Sequence, residues 1–430
     1  MGGNVNKEGI TADLEAMKKA GITCALGYTD QNYQVPIGPV KFMSPEWWKN
    51  IRHTVSEAKR LGITLGLHNG PGWEGSSGPW IKPEQSMQMV VTSEKRVDGP
   101  GKISVDLPKP QVNEGYYEDV AVLALKVPAG QEASTGGNNA TVTSNIPGFH
   151  PAMLLDTDWK TKSEVAWKPG DDPRWVQWSF AKPETLRSIV LVEYSFGSSA
   201  TAQLQSSQDG KNFTSVCKLT IPERHSNVLT ESFPPVSATH FRLVFDNFGD
   251  PADPAKSDHR LHLSGIALSP EVRLDRWYEK GGMASMPERW LDTKIPGTPA
   301  VTRQPVPAIE SFDPARIIDV TSHLQPSGRL EWDAPAGQWV LLRVGSTSTG
   351  KKTDPANPDA MGLECDKMSK AALDSHWEAM MEKILDATGG KESGMRGVFV
   401  ESWEAGQQNW TPKMREEFQV RRGYDLRRRQ

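Results

Sequence analysis

Cysteine is scarce in this chain of 430 residues: Cys24, Cys217 and Cys365 are an odd number in no recognisable spacing. They suggest neither a disulfide framework nor a zinc site. Clustered positive charge is also missing. The 49 basic residues are outnumbered by 53 acidic ones, for a net charge of −4, which argues against nucleic acid or an anionic membrane surface as the main partner. No apolar run is long enough to span a bilayer, no glycine-rich loop carries the lysine of a phosphate-binding loop, and no internal repeat is visible. Tryptophan is plentiful, with 15 residues. Packing accounts for most of them, but indole also offers a flat surface to the C–H faces of sugar rings and a polar edge that can bond. A chain of this length exceeds one ordinary core, so two or three domains are expected.

Helix and strand alternate at the start. Ile10, Leu14 and Met17 fall at helical spacing and Gly21 ends the run; ITCALGY, Ile22 to Tyr28, then reads as a buried strand. Ser44-Pro45-Glu46 combines a capping hydroxyl, a proline at the first helical position and an acid in the first turn. The helix that follows turns Trp48, Ile51, Val55 and Ala58 inward and stops at Gly62, and Ile63 to Gly70 is the next strand. Such units predict a parallel sheet, either doubly wound or a (β/α)₈ barrel. In both, function collects at the C-terminal ends of the strands. His68, Asn69 and Trp73 stand there. A histidine satisfied by backbone and a ligand-facing histidine are equally compatible with the pattern.

From residue 85 the texture changes to strand-like runs, Val120 to Val127, Trp175 to Phe180, Ser188 to Tyr194 and His240 to Phe245, with Gly130 to Asn139 reading as a linker. An all-β, sandwich-like region is expected. Within it LLDTDWKTKSEVAW, WVQWSF, SSQDGKNFTSV and HFRLVF resemble the galactose-binding-like jelly roll of the discoidin type, from Asn145 to about Leu268. That resemblance leaves open a sugar-binding module or a structural spacer. After a further β stretch near residue 310, helical texture returns. Ser369 caps a helix with Ala372, Leu373, Trp377, Met380, Met381, Ile384 and Leu385 on one face, Gly389-Gly390 ends it, and MRGVFVE is the next strand. Thr411-Pro412 starts another helix that Gly423 ends. The expected domains are residues 1–84, first part of a barrel; 85–140, a β insertion; 141–270, the β-sandwich; 271–335, a β-rich connection; and 336–430, the barrel resumed. The fold class is therefore α/β plus all-β, a partial (β/α)₈ barrel interrupted by a β-sandwich.

Two clusters carry chemistry. The strand VFVE ends on Glu401, and Glu404 follows one short turn later, with Trp403 and Trp410 near in sequence. Glycoside hydrolysis needs two carboxyl groups, one protonated and one ionised, and aromatic neighbours favour the protonated form by desolvation. Read alone, ESWE fits loop capping or pairing with the arginine-rich helix at least as well. The second cluster, GLECDKMS, holds Glu364 and Asp366, hard oxygen ligands suited to Ca²⁺ or to sugar hydroxyls; a loop of solvated charges is the plain alternative. Asp354, Asn357 and Asp359 lie nearby, without EF-hand spacing.

Three long stretches, GPVKFMSPEWWKNIRHTVSEAKRLGITLGLHNGPGWEGSSGPWIKPEQSM, GLECDKMSKAALDSHWEAMMEKIL and GVFVESWEAGQQNWTPKMREEFQVRRGYDL, resemble the family-106 glycoside hydrolases of the α-L-rhamnosidase type. The resemblance implies a (β/α)₈ barrel with appended β-sandwiches, inverting hydrolysis of rhamnose-capped glycans, and calcium. The family motif reads Asp-Ser-aromatic and then Glu. Here Glu401 replaces the Asp and Glu404 is kept, so the catalytic acid is carried onto Glu404, with Glu401 in a supporting role. The remaining expectations are substrate contacts at His68, Asn69, Trp73, Trp403 and Trp410, and a metal at Glu364 and Asp366. The resemblance also implies that Met1 is an internal methionine of a periplasmic or extracellular protein, and that the general base lies beyond Gln430, so that the chain alone is inactive. A non-catalytic carbohydrate-binding or structural β module on a half-barrel, and a glycosidase for another sugar, are the competing readings.

Overall fold

The computed structural model describes residues 3–29, 35–110, 112–128, 139–149, 163–167, 171–193, 200–221, 227–248, 260–275, 312–353, 355–400 and 405–426. The linker expected at Gly130 to Asn139 lies outside them as far as residue 138. The chain forms two compact units, one of residues 1–93, 108–121 and 343–430, the other of residues 94–107 and 122–342. Strand is the dominant structure and helices are few. Among the described residues no helix is long and apolar enough to cross a membrane.

In the first unit, helix α1 (Lys7–Lys19) starts where the Asn6 side chain accepts the Gly9 N–H at 2.7 Å, satisfying an amide that the helix itself cannot. Strand β1 (Cys24–Thr29) follows. Helix α2 (Pro45–Leu61) starts in the same way, with Ser44 Oγ accepting the Trp47 N–H at 3.2 Å, and ends at Gly62, whose φ of 64° favours a residue without a side chain. Strand β2 (Thr64–Pro71) is buried from Leu65 onward, and β3 (Ser77–Gly78) is a short return. The indole on the buried side of α2 is Trp47, with Trp48 only partly covered.

Three long strands, β4 (Gln88–Asp106), β5 (Tyr117–Lys126) and a later one, run through the positions where the chain divides between the units. The second unit then adds β6 (Thr141–Ser144), β7 (Ser163–Ala166), β8 (Arg174–Glu193), β9 (Ala200–Ser207), β10 (Thr214–Ile221), β11 (Asn227–Phe248) and β12 (Arg260–Ser269). They form one sheet in the order β10-β9-β11-β8-β12-β7, with β6 also on β8. The two strand signals at Trp175 and Ser188 belong to this single long β8. Its partners on β11 jump from Glu184–Ala238 to Ser179–His240. Pro183 falls in that gap, where no ladder hydrogen bond is required of it. Val176, Trp178, Ile189, Leu191, Leu204, Phe241 and Leu243 are among the side chains that fill one apolar core.

Strands β13 (Ile318–Asp319) and β14 (Arg329–Ser348) complete a second sheet, ordered β13-β5-β14-β4. Back in the first unit, β15 (Leu363–Glu364) pairs with β3. Helix α3 (Lys370–Trp377) passes through a wider π turn, Glu378–Glu382, into α4 (Lys383–Thr388). The extra residue in that turn offsets the buried face by one position. Ala372 and His376 are buried in line with Met380, Met381 and Ile384, while Leu373 and Trp377, expected on that face, are exposed. Strand β16 (Met395–Phe399) joins β2 and β1 in a parallel sheet with β2 central, and α5 (Met414–Arg422) begins three residues after Thr411, not at it.

Candidate active site at the ends of β2 and β16

Phe399 lies opposite His68 in the parallel pairing of β16 with β2. The C-terminal ends of both strands therefore open at the same place, and the chain beyond Val400 leads directly to Glu401 and Glu404. Glu401, Ser402, Trp403 and Glu404 fall outside the described residues, as does Asp354. Of the other expected site residues, the structure brings His68, Asn69, Glu364 and Asp366 into one buried polar region around the loop that follows β2.

His68 is buried, with its ring stacked on Tyr28 at 5.1 Å between centroids. Nδ1 lies 2.9 Å from the Gly70 carbonyl, which can only accept, so Nδ1 carries the proton. Nε2 is buried without a partner, and in the neutral ring it offers a lone pair to a ligand hydroxyl. Asn69 shows the same asymmetry: Nδ2 donates to the Gly75 carbonyl at 2.7 Å and Oδ1 is left unpartnered. Such groups cost free energy when buried empty-handed, and each is able to accept a hydrogen bond from a water or a hydroxyl.

A third unmatched acceptor, a carboxylate oxygen, belongs to the same region. Glu364 is fully buried; Oε2 accepts from Ser76 Oγ at 3.3 Å and from the Lys367 ammonium, which also reaches Ser76 Oγ. Its Oε1 has no partner. Asp366, by contrast, is fully committed. Oδ1 accepts from the Met368 N–H at 2.9 Å and from the Gln408 amide, and Oδ2 from Thr411 Oγ1 at 2.6 Å. This carboxylate ties the loop after β15 to the segment around Trp410.

Glu364 and Asp366 as arranged do not fit a shared calcium ion. An ammonium occupies one carboxylate and hydrogen-bond donors occupy the other, and Ca²⁺ wants six to eight free oxygens. Among the described residues no group of three or more acidic, histidine or cysteine side chains is assembled for a metal. Asp359 instead accepts the Phe42 N–H at 2.7 Å. Trp410 is buried, and its backbone N–H donates to Gln88; Trp73 is 46% exposed.

The local sequence explains why the loop fits. Gly72 has a φ of +82°, and a Cβ there would collide with Thr353 Cγ2. Gly362 passes so close to β3 that its Cβ would collide with the Gly78 carbonyl.

Three contributors carried no signal strong enough to single them out in the sequence. Glu74 is buried and pairs with Lys351 at 3.5 Å. Lys367 follows directly on the two acids of its own motif, where it reads as one more solvated charge. His376 is wholly buried; Nδ1 accepts the Trp80 indole N–H at 3.1 Å and Nε2 donates to the Asn69 carbonyl. Both nitrogens being used in these senses, the ring is neutral, and burial pushes its pKa below the usual histidine value. The π turn that follows keeps His376 on the buried side with Met380 and Met381, and such turns are frequent at functional sites.

The whole length of the chain aligns with a solved rhamnosidase from Novosphingobium sp. PP1Y, at a TM-score of 0.76 and 29% identity, covering 100% of this chain and 40% of that one. The fold is thus that of a carbohydrate-active hydrolase. The family described as alpha-L-rhamnosidase, glycoside hydrolase family 106, matches residues 1–428, and the chain belongs to it. A curated protein of Formosa agariphila named "Putative beta-glucuronidase" is 29% identical over 426 residues, which is 99% of this chain and 24% of that protein. The chain therefore spans less than half the length of either relative.

Proposed function

We propose that these residues form part of the catalytic (β/α)₈ barrel of an α-L-rhamnosidase, which removes terminal rhamnose from glycans with inversion. The carrying observation is the parallel adjoining of β2 and β16: Phe399, five residues before Glu404 in sequence, lies opposite His68, and His68 and Asn69 each keep a buried atom without a partner. In this reading Glu404 is the general acid and Glu401 supports it. His68 Nε2, Asn69 Oδ1 and Glu364 Oε1 receive sugar hydroxyls, with Trp73, Trp403 and Trp410 as aromatic walls. Inversion requires a second carboxylate about 6.5–9.5 Å from the acid, which we assign to the part of the relatives that these residues do not cover. The 430 residues alone are accordingly inactive. Calcium, in this proposal, is held by ligands other than the Glu364–Asp366 pair.

An aryl α-L-rhamnoside assayed in parallel with an aryl β-D-glucuronide tests the reading on a chain extended to the length of the Novosphingobium structure. Rhamnoside turnover that falls by about a thousandfold or more in Glu404→Gln is expected, with a smaller loss on the most activated leaving groups, which need less acid assistance. Cleavage of the glucuronide alone, or an undiminished Glu404→Gln enzyme, overturns it.

A further inference from the structure

The outer face of the large sheet in the second unit carries a feature that the rhamnosidase reading does not use. On β8, Val176 and Trp178 point into the core, so Trp175 and Gln177 point outward. Register places Arg242 of β11 between Gln177 of β8 and Gln205 of β9, and Val244 between Trp175 and Gln203. A half-exposed band of amides and one guanidinium therefore crosses three neighbouring strands.

Arg242 is held firmly within it. Its guanidinium carbon sits 3.8 Å from the centre of the Phe213 ring and 5.0 Å from that of Trp175. Nε and Nη2 both donate to Gln177 Oε1, at 2.9 and 2.6 Å. Stacked and bonded in this way, the planar fork is pre-oriented. No carboxylate among the described residues pairs with it, and partial burial lowers its pKa with nothing to oppose the shift. A half-buried cation with no counter-anion is costly, and Nη1 remains available for an anionic partner. Gln203 and Gln205, bonded to each other at 2.9 Å, add amide groups suited to hydroxyls, and the aromatic rings add flat surfaces.

We propose that this face binds an acidic glycan, with a uronic-acid carboxylate on Arg242 and neighbouring sugar hydroxyls on the glutamine band. A glycan is favoured over other polyanions because the band is mostly neutral amides, with Arg242 within it and the exposed Lys218 of β10 opposite Gln203 at its edge, and a polyanion-binding surface would need many charges. The inference rests on the carbohydrate-active reading of the chain, but its readout is binding and needs no turnover.

The test uses the 430-residue chain, titrated by calorimetry and affinity electrophoresis with de-esterified polygalacturonate, its fully methyl-esterified form, and polyglutamate. The acid form is expected to bind, the ester at least about tenfold more weakly. Arg242→Gln should lose at least about tenfold on the acid form and little on the ester; Arg242→Lys should fall between. Equal binding of acid and ester, or no binding of either, overturns the proposal. So does polyglutamate binding as tightly as polygalacturonate, which would make the face a nonspecific anion surface. If Arg242→Gln fails to fold, as judged by circular dichroism, the acid–ester comparison on the unmodified chain still decides. A failed rhamnoside assay leaves this result standing, and the converse holds too.

Discussion

Removing the ammonium beside Glu364 is the sharpest probe of the buried cluster. Glu364 is 0% exposed and the Lys367 side chain 15% exposed, so the pair is inside the protein rather than on its surface. Deleting one partner of such a pair typically costs about 3–5 kcal/mol, because the remaining charge stays buried without compensation. Ser76 Oγ still donates to Glu364 after Lys367→Met, which places the expected cost near the lower end, about 3 kcal/mol. Replacing both charges, as Lys367→Met with Glu364→Gln, removes the uncompensated carboxylate and should recover about 2 kcal/mol of it. Because the chain has two units, a single unfolding midpoint is a poor measure. Amide exchange reports the loop directly. The Glu364 N–H bonds to the Lys351 carbonyl at 3.0 Å and the Cys365 N–H to the Ser76 carbonyl at 3.0 Å. A loss of about 3 kcal/mol speeds their exchange by roughly 150-fold where the population of the open state governs the rate. Exchange changed less than about fivefold in Lys367→Met, or no recovery in the double variant, would show that Lys367 does not balance Glu364.

His376 gives a pH prediction. Its pKa is depressed by burial, so the unfolded chain binds the proton first as pH falls below about 6.5. Stability is lost from there down toward the folded pKa, at up to about 1.4 kcal/mol per pH unit. The groups facing it are Asn69, Trp80, Glu364, Lys367 and His68. His376→Gln should flatten the slope of the loop's exchange between about pH 5 and 6.5, and an unchanged slope refutes the assignment. Chelation with EDTA should leave exchange at Glu364 and Cys365 unchanged, whereas deprotection reversed by Ca²⁺ would return these carboxylates to a metal role.

Much of the first unit was legible because its signals are local. Asn6, Ser44 and Ser369 cap helices by hydrogen bonds that span three residues, and Gly62, Gly389 and Gly423 end helices or turns with positive φ. The parallel pairing of β1 and β2 follows from one helix between two apolar runs. The π turn was not legible, since nothing in EAMME differs from an ordinary helical turn, and so regular helical spacing puts Leu373 and Trp377 on the wrong face. The commitment of Asp366 to Gln408 and Thr411 was equally hidden: its partners lie 42 and 45 residues away. Spacing within GLECDKMS suggests what such acids can bind, but only the chain brought alongside shows what already binds them.

Most of the buried polar atoms at the end of β2 divide into two kinds, and under the proposed function the division separates scaffold from site. Asp366, Asn69 Nδ2 and both His376 nitrogens are matched with partners from other segments, each bond tying one segment to the next. His68 Nε2, Asn69 Oδ1 and Glu364 Oε1 are unmatched, although each belongs to a side chain whose other polar atom is held. Ser77 Oγ, beside them on β3, is unsatisfied as a whole side chain, at about 1–3 kcal/mol for such a group; the three acceptors differ from it. Here one end of each side chain is anchored and the other end is an acceptor. His376 fixes the Asn69 backbone, Gly75 fixes its amide, and Lys367 with Ser76 fixes the glutamate, so each acceptor is oriented before any ligand arrives. Acceptors held in that way select a partner rich in O–H donors, and a sugar ring is such a partner.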